Sequence, residues 1–139
     1  MPHLIVEYST NLERDVDMRM VVDAVHAAAL ATAIAPLDGL RTRASPRSIY
    51  RIADGHPDNA FVAVTARLGP GRTAEEKHRL LDALMRSLEN ALGPTVAANA
   101  MLSVEYVEIH PEFRVNRNNL RAVIAGRSAQ VANFVVESR

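Results

Sequence analysis

The strongest constraint on this fold is an order of elements that occurs twice. Residues 2–8, containing His3-Leu4-Ile5-Val6-Glu7-Tyr8, read as a buried strand. Asp17 then stands as N-cap for a helix over Met18–Ala33, whose Met18, Val21, Val22, Val25 and Ala29 share one apolar face. Pro36-Leu37-Asp38-Gly39 makes a turn, and Leu40–Thr42 opens a second strand. Pro46 marks a bend or an edge position, Ser48–Ala53 resumes extended structure, and Asp54–Asp58 is a loop. From Ala60 the order repeats: a strand over Ala60–Leu68, the turn Gly69-Pro70-Gly71-Arg72, and a capping box from Thr73 and Glu76. The helix that follows buries Leu80, Leu81, Leu84, Leu88 and Leu92, stops at Gly93-Pro94, and leads to a strand over Met101–Ile109.

Two consecutive β-α-β units, about 2–58 and about 59–110, predict an α+β fold. Its four-stranded sheet carries both helices on one face, and each crossover makes its two strands parallel. The other sheet face is left bare, and its apolar residues need burial, which predicts an oligomer. The chain of 139 residues suits one domain. A C-terminal arm, about 111–139, begins with His110-Pro111 and the polar stretch Arg114–Asn119. It ends in a tail with two apolar pieces, Ala122–Ala125 and Val131–Val136, able to pair with something.

Composition narrows the function. With 16 basic and 16 acidic residues, the chain lacks the basic surplus that a nucleic-acid surface requires. It has no cysteine, hence no disulfide, thiol nucleophile or thiolate metal site. No apolar run approaches the ~18 residues of a membrane span, and no secretory signal opens the chain. Together these predict a cytoplasmic protein without a membrane partner. Lys77 is the only lysine among the 16 basic residues, and four of the arginines, Arg41, Arg43, Arg47 and Arg51, fall close together.

Pro2 is the residue with most chemical potential. Removal of Met1 would turn its tertiary amide into a free secondary amine. Nearby guanidiniums and an apolar pocket both disfavour a protonated amine, so it would be available as a general base. Arg41 and Arg43 are two apart on an extended segment and share a face, which suits either an anion site or a solvated edge strand. Arg72 leaves a glycine turn at a helix start, which suits either anion binding or a plain strand-to-helix connection. Histidines stand at 3, 26, 56, 78 and 110 without metal-ligand spacing, and no metal or other cofactor is expected. His3 points away from Pro2 in an alternating strand.

Taken in order, several segments resemble the 5-carboxymethyl-2-hydroxymuconate isomerase family of the tautomerase superfamily. They are Met-Pro-His-Leu-Ile-Val-Glu-Tyr-Ser, Gly39-Leu40-Arg41-Thr42-Arg43, Ala53-Asp54-Gly55, Ala60-Phe61-Val62, Gly69-Pro70-Gly71-Arg72 and Glu108-Ile109-His110-Pro111 with Asn118-Asn119. The resemblance covers about residues 2–121. It implies paired β-α-β units assembled as a homotrimer with inter-subunit active sites. It also implies a small anionic carboxylate substrate from aromatic-compound catabolism (homoprotocatechuate degradation), no cofactor, Pro2 as catalytic base, and Arg41 and Arg72 as catalytic, carboxylate-binding groups. Arg43, in the matching motif, is expected to bind substrate. The tail beyond Arg121 is longer than the family pattern, and the arm Arg114-Val115-Asn116-Arg117 departs from a lysine-containing version. Two other readings remain at this stage: a non-catalytic trimeric module using Arg41, Arg43 and Arg72 to bind a small anion, and a regulatory β-α-β-repeat domain.

Overall fold

The computed structural model describes residues 1–137. Its centre is a four-stranded sheet built from β1 (His3–Ser9), β2 (Arg41–Arg47), β3 (Ala60–Leu68) and β4 (Ala100–Glu108), in the order β2-β1-β3-β4. β1 runs parallel to β2 and β3 parallel to β4, as a helical crossover connection requires, while the central pair β1 and β3 is antiparallel. The expectation of paired β-α-β units therefore holds, with the two units related head to tail across the middle of the sheet.

α1 (Met18–Ala31) and α2 (Ala74–Leu92) cross between the strands of each unit. The Asp17 side chain accepts the Arg19 N–H, and Thr73 and Glu76 form the expected reciprocal capping box. Alternation on the strands and helical periodicity place one core between sheet and helices. Leu4, Val6 and Tyr8 from β1 and Val62, Val64, Ala66 and Leu68 from β3 meet Val21, Val25 and Ala29 of α1 and Leu80, Leu84, Leu88 and Leu92 of α2. Leu81 is only half-buried, because it lies on the flank of the stripe set by Leu80, Leu84 and Leu88.

Two local expectations are corrected, the end of α1 and the strand over Ser48–Ala53, while the edge position of Pro46 and the helix stop at Gly93-Pro94 hold. α1 ends at Ala31, two residues early, and the chain leaves it through Ala33 in the left-handed region at φ 60°. β2 continues through Pro46 to Arg47, which an edge strand tolerates because the missing N–H faces no partner strand. Ser48–Ala53 is bend and turn instead of strand: nothing pairs with it, and Ile49 is almost fully exposed. Pro94 both stops α2 and begins a short helix, α3 (Pro94–Ala97), as its fixed φ suits a first helical position. The two apolar pieces of the tail lie in one helix, α4 (Leu120–Glu137).

Candidate active site

The site grows from the end of the sheet where β1 begins and β3 ends. Pro2 is buried there. Its carbonyl accepts the Arg41 N–H at 3.1 Å, which ties the chain start to the start of β2. Gly39 closes over the ring: a Cβ at Gly39 would lie 3.3 Å from Pro2 Cδ and 3.6 Å from Pro36 Cγ. The Pro36–Gly39 turn, held by the Gly39 and Leu40 N–H groups on the Pro36 carbonyl at 3.1 Å, thus seats Pro2 directly. Met1, Gly39 and Arg41 line a cavity of about 450 Å³, with Asp38, Asn118 and Ile124 on its wall. A larger, more open groove of about 750 Å³ between α1 and α2 contains none of the candidate residues.

The electrostatics converge on the terminal amine. Burial, and then the guanidiniums of Arg114, Arg72 and Arg41, hold the Met1 ammonium below the ordinary α-amino range. Of the two arginines singled out by sequence, Arg41 lines the cavity beside Met1, whereas Arg72 does not line it and acts on the amine through its charge. Arg72 is half-buried and donates to the Gly69 carbonyl at 2.9 Å and the Ile34 carbonyl at 3.2 Å, so it bridges the β3–α2 turn to the segment after α1. Arg43 is directed elsewhere. It shares the helix-free face of the sheet with Arg41, and its Nη1 lies 3.1 Å from His3 Nδ1. Burial, followed by Arg41, Arg43 and Arg67, lowers the His3 pKa, so the neutral ring accepts from Arg43 at neutral pH.

Three residues at this end were not among the sequence candidates. Arg114 belongs to the connection between β4 and α4, and its Nη1 is buried with no hydrogen-bond partner among the described residues. Tyr106 on β4 has a buried hydroxyl that likewise finds no partner among the described residues; burial raises its pKa, while Arg72 and Lys77 oppose the rise. Asp38 fixes the arm, accepting the Asn118 amide on its carbonyl at 2.8 Å and pairing its carboxylate with Arg121. The polar character of Arg114–Asn119 and the Asn118-Asn119 pair of the resemblance were the sequence signals for this part of the site. Met1, Arg41 and Arg117 line the cavity at the chain start, while Arg72, Arg114 and Tyr106 lie outside its lining and the two arginines act on the amine through their charge.

The matches to known proteins agree with this geometry. The family model for 5-carboxymethyl-2-hydroxymuconate isomerase matches residues 2–124. The 5-carboxymethyl-2-hydroxymuconate Delta-isomerase of Escherichia coli is 32% identical over 124 residues, 88% of this chain and 98% of that protein. The crystal structure of a 5-carboxymethyl-2-hydroxymuconate isomerase from Deinococcus radiodurans R1 superposes with a TM-score of 0.80 at 32% identity, covering 88% of this chain and 93% of that one. A fused 4-OT protein, described as a symmetric trimer, shares the fold alone, with a TM-score of 0.60 at 20% identity over 84% of this chain and 92% of its own. The catalytic expectation thus has an enzyme family behind it, and the chain belongs to the 5-carboxymethyl-2-hydroxymuconate isomerase family.

Proposed function

We propose that this isomerase moves a proton and a double bond within an unsaturated 2-hydroxy/2-oxo di- or tricarboxylic acid such as 5-carboxymethyl-2-hydroxymuconate, with the amine of Pro2 as general base. The observation that carries the reading is the seating of Pro2 against Gly39 at the start of β1, beside a cavity lined by Met1 and Arg41 where nearby guanidiniums disfavour a protonated amine. With Met1 in place Pro2 is an amide and has no basic lone pair. Once Met1 is removed, the amine sits one residue further in, against Gly39.

Neutral Pro2 takes the proton of the 2-hydroxyl group. The electron pair shifts along the dienol as the 2-oxygen becomes a carbonyl, C5 takes up a proton, and Pro2 gives up the one it gained, directly or through solvent, so atoms and charge balance over the cycle. Arg41 and Arg72 hold carboxylates through paired N–H donors, and one of them stabilises the negative charge developing on the 2-oxygen. Guanidiniums serve here because they stay protonated and do not compete with the amine for the proton.

The active assembly in this reading is a homotrimer with a site at each subunit boundary. The fold likeness to a symmetric trimer and the uncovered sheet face support it. Intact mass followed by ultraviolet monitoring of 5-carboxymethyl-2-hydroxymuconate and 2-hydroxymuconate tests the mechanism. Met1-free protein is expected to ketonise the dienol far above the buffer rate, and an added N-terminal residue is expected to abolish this. Equal turnover by the extended protein would remove Pro2 as the base.

A further inference from the structure

We propose that Arg117 is a substrate-binding residue of the cavity at the chain start, where it clamps a substrate carboxylate against Arg41, and that Asp38 positions it by holding the arm. The inference rests on the isomerase reading above and adds a binding residue that the sequence did not single out.

The cavity of about 450 Å³ has two walls of different origin. Residues 37–41, the turn that seats Pro2 and the first residue of β2, make one; residues 117–120 of the arm, with Ile124 of α4, make the other. Each wall carries one guanidinium, Arg41 on the first and Arg117 on the second. Both side chains are exposed, and neither donates a hydrogen bond nor forms an ion pair among the described residues. The carboxylate on the lining, that of Asp38, is already paired with Arg121. Two cations on one cavity without a counter-charge repel each other. A carboxylate between them removes that repulsion and gains charge-assisted hydrogen bonds from both sides.

Arg117 is placed by its neighbours while its own side chain stays available. Asn118 Nδ2 donates to the Asp38 carbonyl at 2.8 Å, and Asn118 Oδ1 accepts the Leu120 N–H at 3.1 Å. Arg121 then pairs with the Asp38 carboxylate. The chain just after Arg117 is thus tied twice to the turn behind Pro2. Gly39, against which Pro2 sits, and Met1 line the same cavity, so loss of Met1 opens it toward the Pro2 amine. A carboxylate clamped by Arg41 and Arg117 is then held in one space with the base. A clamp on a carboxylate that does not react acts on substrate and transition state alike, so its loss reads in affinity.

Titration calorimetry with glutarate, an unreactive dicarboxylate, tests the clamp on the Met1-free full-length protein without any turnover. Arg117→Gln is expected to weaken glutarate binding about tenfold, the scale of one charge-assisted hydrogen bond. Arg117→Lys is expected to recover part of the loss by restoring the charge without the fork. Arg121 lies outside the cavity lining, so Arg121→Gln loosens the arm and leaves the lining residues in place. It is expected to weaken glutarate binding in the parent and to add little in the Arg117→Gln background, because it acts through Arg117. With 5-carboxymethyl-2-hydroxymuconate, Arg117→Gln is expected to raise KM more than it lowers kcat. Glutarate binding unchanged in Arg117→Gln, no glutarate binding by the parent protein, or full additivity of the two substitutions overturns the proposal. A protein that shows the glutarate pattern and isomerises no dienol keeps the clamp and refutes the isomerase reading. One that isomerises with the same KM in Arg117→Gln does the reverse.

Discussion

Arg72 carries two tasks that a single substitution cannot separate. Its N–H groups on Gly69 and Ile34 hold two backbone segments together, and its charge opposes protonation of the terminal amine. Arg72→Ala is therefore expected to lower kcat/KM by about a hundredfold, the scale for losing one preorganised donor. It is also expected to lower stability by about 1–3 kcal/mol, since two backbone acceptors lose a charged partner. The pH profile separates the tasks. A base works in its neutral form, so the rate rises as pH climbs through its pKa; removing a positive neighbour raises that pKa and moves the acidic limb to higher pH. A limb left in place would mean that Arg72 does not tune the base. Pro2, Arg41 and Arg72 stand out as candidates because each sits in a short motif, and for the two arginines that motif alone fits a structural role as well as anion binding. Arg114 does not, because its position depends on Asn118 and Arg121 reaching Asp38 across 80 and 83 residues, and no local pattern encodes that contact.

At the scale of elements, the junction between β3 and α2 ties stability to the site. Thr73 caps α2 immediately after Arg72, with the Glu76 N–H on Thr73 Oγ1 at 3.2 Å and the Thr73 N–H on the Glu76 carboxylate at 2.9 Å. Thr73→Ala is expected to cost about 1 kcal/mol in thermal unfolding, through loss of the side-chain acceptor for the helix start. A melting temperature equal to that of the parent would show that the box contributes nothing to the fold. Both the box and the strand-helix-strand order were readable because local rules and the final fold agree there. Ser48–Ala53 was misread because its residues suit a strand, but β2 already occupies the sheet edge and leaves no partner. α4 was read as separate apolar pieces because its exposed Val123, Val131, Val135 and Val136 form no single stripe around Gly126.

For the whole molecule, the helix-free face of the sheet is the feature one protomer does not account for. Ile5, Phe61, Ala63 and Thr65 lie on it only half-buried, with Met101 65% exposed at its margin and Tyr50 packed edge-on against Phe61 at 6.5 Å. β2 and β4 also present two open sheet edges, which invite pairing with other copies. The opposite end of this face is cationic, with His3, Arg41, Arg43 and Arg67 clustered around β1. Assembly through the face would bury the apolar end and bring charged ends close to the amines, joining association to catalysis. Met101→Lys tests that link. The side chain is open to solvent in the protomer, so the fold is expected to survive with its circular dichroism unchanged. In an assembly the new ammonium would be buried without a partner, so sedimentation is expected to show a shift toward monomer. Activity is then expected to fall with protein concentration, as a site shared between subunits requires. A Met101→Lys protein that sediments as monomer while keeping its full rate at all concentrations would place the whole active site within one chain.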